Sequence, residues 1–229
     1  SSWEALLRGD LGGARRSHWL GELVRMSTKY DYVLIDAGPS LGALNRTVLL
    51  GSDVFVTPTS ADLFSVFALD NIRTWIRAWS RSYTHGMRLV EEEFPEEVSD
   101  LWPQSRRDSP SARFLGFTIQ QYVTKALRDG LRRKTNAYDY FSEQIPSRAL
   151  HLANETSIPP ISPDALDLGL VPYMFSMVPL AQTSHSPIST LTAADGLRGA
   201  QFSQQEKYKE QIEAIGRRLV KRLDEMGMQ

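Results

Sequence analysis

Apolar and polar positions along the chain divide it into alternating strand-like and helix-like stretches. Val33, Leu34 and Ile35 form a short unbroken apolar run, the pattern of a strand buried on both faces of a parallel sheet. The run leads into Asp36 and a Gly/Pro turn, after which Leu41, Leu44, Val48 and Leu49 restart at helical spacing. Upstream, Trp3 to Lys29 reads as helical, with Trp19, Leu20, Leu23, Val24 and Met26 giving a mostly apolar stripe. Downstream of Pro58, Asp62 or Ser60 can cap a long helix in which Leu63, Val66, Phe67, Leu69, Ile72, Ile76 and Trp79 recur at helical intervals.

The later chain is less regular. Residues 81–113 carry an acidic run at Glu91-Glu-Glu93 and Glu96-Glu97, together with Pro95, Pro103 and Pro110. That composition predicts a helical, solvated surface insertion between two core strands. Residues 145–175 are broken by prolines and Gly169, which predicts a loop or small subdomain. Residues 203–229 close the chain as an amphipathic helix, with Tyr208, Ile212, Ile215, Leu219, Leu223 and Met226 on its apolar stripe.

Composition excludes more than it identifies. The 229 residues are 41% hydrophobic and 23% charged, enough for one sizeable core. A net charge of -1 makes no whole-chain case for a nucleic-acid or membrane partner. The absence of cysteine excludes disulfides and thiolate metal sites. No apolar stretch approaches the ~20 residues a membrane-spanning helix needs, and the default expectation is a cytoplasmic protein. His18, His85, His151 and His185 lack paired spacing, so no zinc site is expected.

Two chemistries can be read into the turn after Ile35. An acidic side chain at the carboxyl end of a parallel strand stands where open α/β sheets bind their ligands, and a following glycine lets the backbone come close to a phosphate. Alternatively, Gly38-Pro-Ser-Leu-Gly42 is a literal G-x-S-x-G between strand and helix. On that reading Ser40 is the nucleophile of an α/β serine hydrolase, with Asp164 or Asp167 and His185 following in the right chain order. Asp36, which a nucleophile elbow does not need, and the short stretch before Ser40 argue against the hydrolase.

Tyr30-Asp-Tyr-Val-Leu-Ile-Asp-Ala-Gly-Pro-Ser-Leu-Gly42, Gly51-Ser-Asp-Val-Phe-Val-Thr-Pro58 and Thr59-Ser-Ala-Asp-Leu-Phe-Ser-Val-Phe-Ala-Leu69 together resemble the ParA/MinD family of P-loop ATPases. Phe114–Tyr122 resembles that family's next core strand. Met177–Gln182, Ser186–Ile188 and Ala194–Gly196 resemble the loop and tail that close over the base. The resemblance implies an α/β fold, a mostly parallel sheet flanked by helices on both faces, forming a single domain over 1–229 that is incomplete at its N-terminus. It implies ATP and Mg²⁺ as cofactors, with Asp36 holding the Mg²⁺ through a water and Gly38 and Pro39 sensing the γ-phosphate. Gln121, Val178, Pro179 and Leu180 would lie near the base.

The partners implied are a homodimer formed on ATP binding, a cargo adaptor or activator protein, and nonspecific DNA. Plasmid partition or chromosome segregation is the first role to consider, and positioning of another cellular machine the second; no membrane partner is predicted. For DNA, the basic clusters Arg132, Arg133, Lys134 and Arg217, Arg218, Lys221, Arg222 are the candidates.

One part of the family's pattern is missing from these residues. The lysine-bearing glycine loop that cradles phosphates does not occur. Gly12-Gly13-Ala14-Arg15-Arg16 lacks both Lys and Ser/Thr, and reads as a loop between two helices. The expectation is therefore that the phosphate loop and its strand lie in a missing N-terminal portion, and that these residues alone hydrolyse little ATP. A non-catalytic adaptor on the same fold is the alternative.

Overall fold

The computed structural model describes residues 2–38, 42–102, 111–121, 136–156 and 162–228. Their contacts cluster into two units, Ser1–Phe55 with Leu69–Phe114 and His151–Pro159, and Val56–Ala68 with Leu115–Leu150 and Pro160–Gln229. The elements combine helices with a three-stranded sheet, an α/β arrangement of the kind P-loop nucleotide hydrolases use.

The first unit opens with three short helices, α1 (Ser2–Leu6), α2 (Leu11–Ser17) and α3 (Trp19–Arg25), followed by α4 (Ala43–Gly51). Asp10 starts α2 by accepting the Gly13 N–H at 2.5 Å. Gly12 and Gly13 therefore sit inside a helix, neither a phosphate cradle nor the expected loop between helices. A side chain at Gly13 would collide with the Ala5 and Leu6 backbone, so its glycine is what allows α1 and α2 to touch. Gly86 lets the long helix α5 (Leu63–Glu93) approach Leu6 in the same way.

The core of this unit gathers Leu6, Ala14, Leu50, Tyr83, Met87, Val90, Val98 and Trp102. Five of these eight fall in 81–113, which corrects the expectation of a solvated insertion. In α5 and in α6 (Pro95–Leu101) the glutamates stay on the outer face, while Tyr83, Met87, Val90 and Val98 return to the inner one. Charge density hid the apolar stripe beneath it.

In the second unit the sheet runs in the order β1-β2-β3, with β1 Val54–Ser60, β2 Arg113–Gln120 and β3 Asp167–Val171. β2 and β3 pair in parallel, Thr118 opposite Gly169 and Gln120 opposite Val171. The Thr59 hydroxyl donates to the Thr118 carbonyl at 2.7 Å, joining β1 to β2. Pro58 stands in β1 at the sheet's margin among the described residues, the position a strand proline tolerates. Before α5, Asp62 accepts the Ser65 N–H at 2.8 Å and Ser65 Oγ accepts the Ser60 N–H at 2.9 Å, so Asp62 is the cap.

Residues 145–175 differ from their expected loop. They hold α8 (Ile145–Glu155), preceded by α7 (Asn136–Ser142), then a 3-10 turn at Pro163–Leu166 and β3. Pro163 is at the start of its turn, where its missing N–H costs nothing, so the proline marks an element's beginning and not its absence. Helix α9 (Met177–Ser184) and helix α10 (Gln201–Glu225) complete the unit, the latter packing on β3 with Ile215 against Gly169. Among the described residues no helix is long and apolar enough to cross a membrane.

Candidate functional site

Asp36 lies in an extended, exposed segment. Residues 32–38 carry no strand assignment, and Leu34 is 89% exposed. The expected buried strand at 33–35 is thus not formed. The physical reason is that a strand's N–H and C=O groups need a neighbouring chain, and none of the described residues supplies one here. The Asp36 carboxylate is exposed to solvent, and among the described residues nothing lies within 4 Å of where a Cβ on Gly38 would stand.

Helix α4 holds the far side of this turn. Asn45, 8% exposed, donates its side-chain amide to the Gly38 carbonyl. Trp19 Nε1 donates to Thr47 Oγ1 at 3.0 Å, and Leu20 packs on Gly51, so α3 braces the helix from behind. Asn45 was not singled out from sequence; the available signal was an asparagine in the first turn of a helix following a glycine-rich turn, where its amide can reach back. Pro39 and Ser40 lie outside the described residues.

Val178, Pro179 and Leu180 belong to the first turns of α9. Pro179 and Leu180 line an open groove with Ser176, Thr183, Ala194, Asp195, Gly196 and Gln201. Val178 is 43% exposed beside them. The groove's charged groups are already engaged. Asp195 accepts the Thr192 hydroxyl at 2.7 Å and its N–H at 2.8 Å, which hold its carboxyl below the usual carboxylate range. Arg198 donates to the carbonyls of Ala193 and Leu197. Thr183, Ser184 and Gln201 leave it a neutral polar wall beside an apolar one. Gln121 is at the carboxyl end of β2, its N–H donating to the Val171 carbonyl at 2.8 Å, and is not among the residues lining the groove.

The C-terminal basic cluster is partly engaged, by Glu213 and Glu225 of α10 and by a carbonyl of β3. Arg217 lies 3.7 Å from Glu213 and Lys221 3.9 Å from Glu225, while Arg218 donates to the Asp167 carbonyl at 3.4 Å. Arg222, expected on the surface with the others, is instead buried and bonded to Glu225 at 2.6 Å. A guanidinium withdrawn from solvent cannot meet a nucleic-acid phosphate, so Arg222 is removed from the DNA candidates. The stripe around Leu223 draws its aliphatic stem inward. Arg132, Arg133 and Lys134 lie outside the described residues. Of the hydrolase alternative, Asp167 spends its carboxylate on the Gly169 N–H at 2.8 Å, and His185 ends α9 in a left-handed backbone conformation.

Residues 13–88 match a family model described as an AAA domain, of the ParA/MinD-like P-loop ATPase type. The match covers the Asp36 turn, β1 and most of α5. No curated protein matches. Among solved structures, the chain is similar to protein DIP2308 from Corynebacterium diphtheriae, at 33% identity and a TM-score of 0.57. That likeness covers 76% of this chain and 55% of that one, so the chain spans little more than half of that protein's length.

Proposed function

We propose that the chain is the switch-bearing part of a Mg²⁺-dependent ATPase of the ParA/MinD type, which dimerises around ATP and releases its partner after hydrolysis. The observation that carries this reading is the exposed Asp36 carboxylate, set between an unpaired apolar run and the open turn at Gly38, inside the stretch that matches an AAA domain.

The residues present suit the cofactor. Mg²⁺ prefers hard oxygen donors and keeps several waters, and an exposed carboxylate can meet it through one of them. When bound, the metal would supply charge neutralisation across the phosphates. Asp36 would hold the metal's hydration shell, and the Gly38 N–H would face the terminal phosphate with no side chain to obstruct it. Asn45, bonded to the Gly38 carbonyl, would pass any movement of that turn into α4. Pro39 would stiffen the turn.

The phosphate cradle would come from a lysine-bearing loop, whose strand would pair with residues 33–35 and cover Leu34. Partition of DNA, or positioning of another cellular assembly in the cytoplasm, is the role this switch would serve, with a cargo adaptor as activator. The alternative is a non-catalytic adaptor on the same fold.

ATPase assays decide between them. The chain by itself is expected to turn over little or no ATP, and a form carrying a lysine-bearing phosphate loop is expected to show Mg²⁺-dependent turnover. Asp36→Ala in that form should lower turnover by about a hundredfold or more, the scale of losing positioned charge stabilisation. Unchanged turnover would take Asp36 out of the site, and failure of the longer form to bind ATP would favour the adaptor.

A further inference from the structure

We infer that one face of α5 is a docking surface for an acidic polypeptide segment of a partner protein. From Asn71 to Val90 the helix contains Arg73, Arg77, Arg81 and Arg88 and no Asp or Glu. At ~100° per residue these four fall within an arc of about 80°, along about 22 Å of helix. Arg77, Arg81 and Arg88 are exposed and Arg73 is half-buried. Asp70 and Glu91 fall on the same arc at its two ends, so the positive ridge is the span between them.

The ridge already holds one carboxylate, and the manner of holding shows what it fits. Arg77 grips Glu155 of α8 in a two-pronged fork, Nε donating to Oε1 at 2.8 Å and Nη2 to Oε2. The Arg77 fork first, then the charges of Arg77, Arg73 and Arg81, outweigh a partial burial that acts the other way, and keep the Glu155 carboxyl below its ordinary range. All three guanidinium groups therefore act on one point. A single glutamate answers only one of them.

Arg73, Arg81 and Arg88 make no ion pair or side-chain hydrogen bond among the described residues, and the Arg73 Nε is buried without a partner. This distinguishes the ridge from the α10 cluster, where each basic side chain has found a carboxylate or carbonyl. Arg73 and Arg81, on either side of the occupied Arg77, stand ~12 Å apart along the axis, the interval at which a second helix repeats its own i and i+8 carboxylates. Planar guanidinium groups pair with carboxylates two-pronged, as Arg77 does here. Glu155 also selects against a nucleic-acid backbone. Its negative charge occupies the middle of the track that a line of phosphates would follow, whereas an acidic helix can straddle it with carboxylates on Arg73 and Arg81.

Fluorescence anisotropy with a labelled helical peptide bearing glutamates at i and i+8, and with a labelled 20-base-pair duplex, tests the surface. The chain should bind the peptide more tightly than the duplex, and more weakly as salt is raised. Arg73→Gln with Arg81→Gln should weaken peptide binding about fivefold, as expected from losing two solvent-screened charge pairs. Arg81→Gln with Arg88→Gln is the second variant should the first fold poorly, and Arg217→Gln with Lys221→Gln should bind like the parent. Absence of peptide binding, wild-type binding by both α5 double variants, or preference for the duplex would each overturn the proposal. None of these readouts requires ATP, so the result stands apart from the ATPase reading.

Discussion

Asn45 donates its side-chain amide to the main-chain carbonyl of Gly38, so the turn after Asp36 is fastened to the helix it enters. Seven residues separate them, and the bond closes that turn while Asn45 itself is 8% exposed.

Asn45→Ala should therefore cost about 1 kcal/mol, the usual net value of one intramolecular hydrogen bond, with the Gly38 carbonyl still open to solvent. Urea unfolding followed by circular dichroism measures it. In a nucleotide-hydrolysing form the same substitution should also weaken the coupling between the turn and α4, read as a lower kcat with KM for ATP little changed.

Leu34 and Val48 make a paired test of whether the apolar run is buried. Leu34 is 89% exposed and Val48 7% exposed. Leu34→Ser should leave the thermal midpoint of this chain within experimental scatter, as exposed substitutions do. Val48→Ser should lower stability by about 2 kcal/mol, through lost transfer energy and a buried hydroxyl. If Leu34→Ser destabilises as much as Val48→Ser, residues 33–35 are packed in solution. A longer form in which a neighbouring strand covers them should become sensitive at Leu34.

The Arg77–Glu155 pair sets a pH dependence. The folded Glu155 carboxyl is depressed, chiefly by the Arg77 hydrogen bond, so the unfolded state takes up its proton first as pH falls. Its contribution is fully present above the unfolded glutamate pKa of about 4.3, and is lost as pH drops through the lower folded value. Glu155→Gln should flatten the stability profile below about pH 4.3 and leave its shape at neutral pH unchanged. Chemical unfolding at a series of pH values reads this out, and an unaltered acid limb would mean the pair does not persist in solution. The effect is expected to be small, because Arg77 is 48% exposed and solvent screens it.

Local pattern carried the elements whose formation depends on their own residues. The helical stripe from Leu63 onward, a cap at Asp62 or Ser60 and the amphipathic C-terminal helix all follow from spacing and hydrogen bonding within a few residues, and the structure has the two helices and puts the cap at Asp62. The motif around Asp36 likewise pointed to the ParA/MinD-like type that the AAA-domain match supports.

What needed tertiary structure were the outcomes set by partners distant in sequence. Whether Val33, Leu34 and Ile35 are buried depends on a neighbouring strand, and apolar character alone could not provide one. Glu91 to Glu97 suggested a wet surface because charge dominates that stretch, while Met87, Val90 and Val98 reach a core built with α1 and α2. Basic residues looked equivalent along the chain, yet Arg222 is buried on Glu225 and Arg81 is exposed, with no ion pair among the described residues. Residue type fixes which charges and apolar groups exist. Only the folded chain decides which of them are already satisfied, because satisfaction is a matter of what lies within a few ångströms and not of order along the sequence.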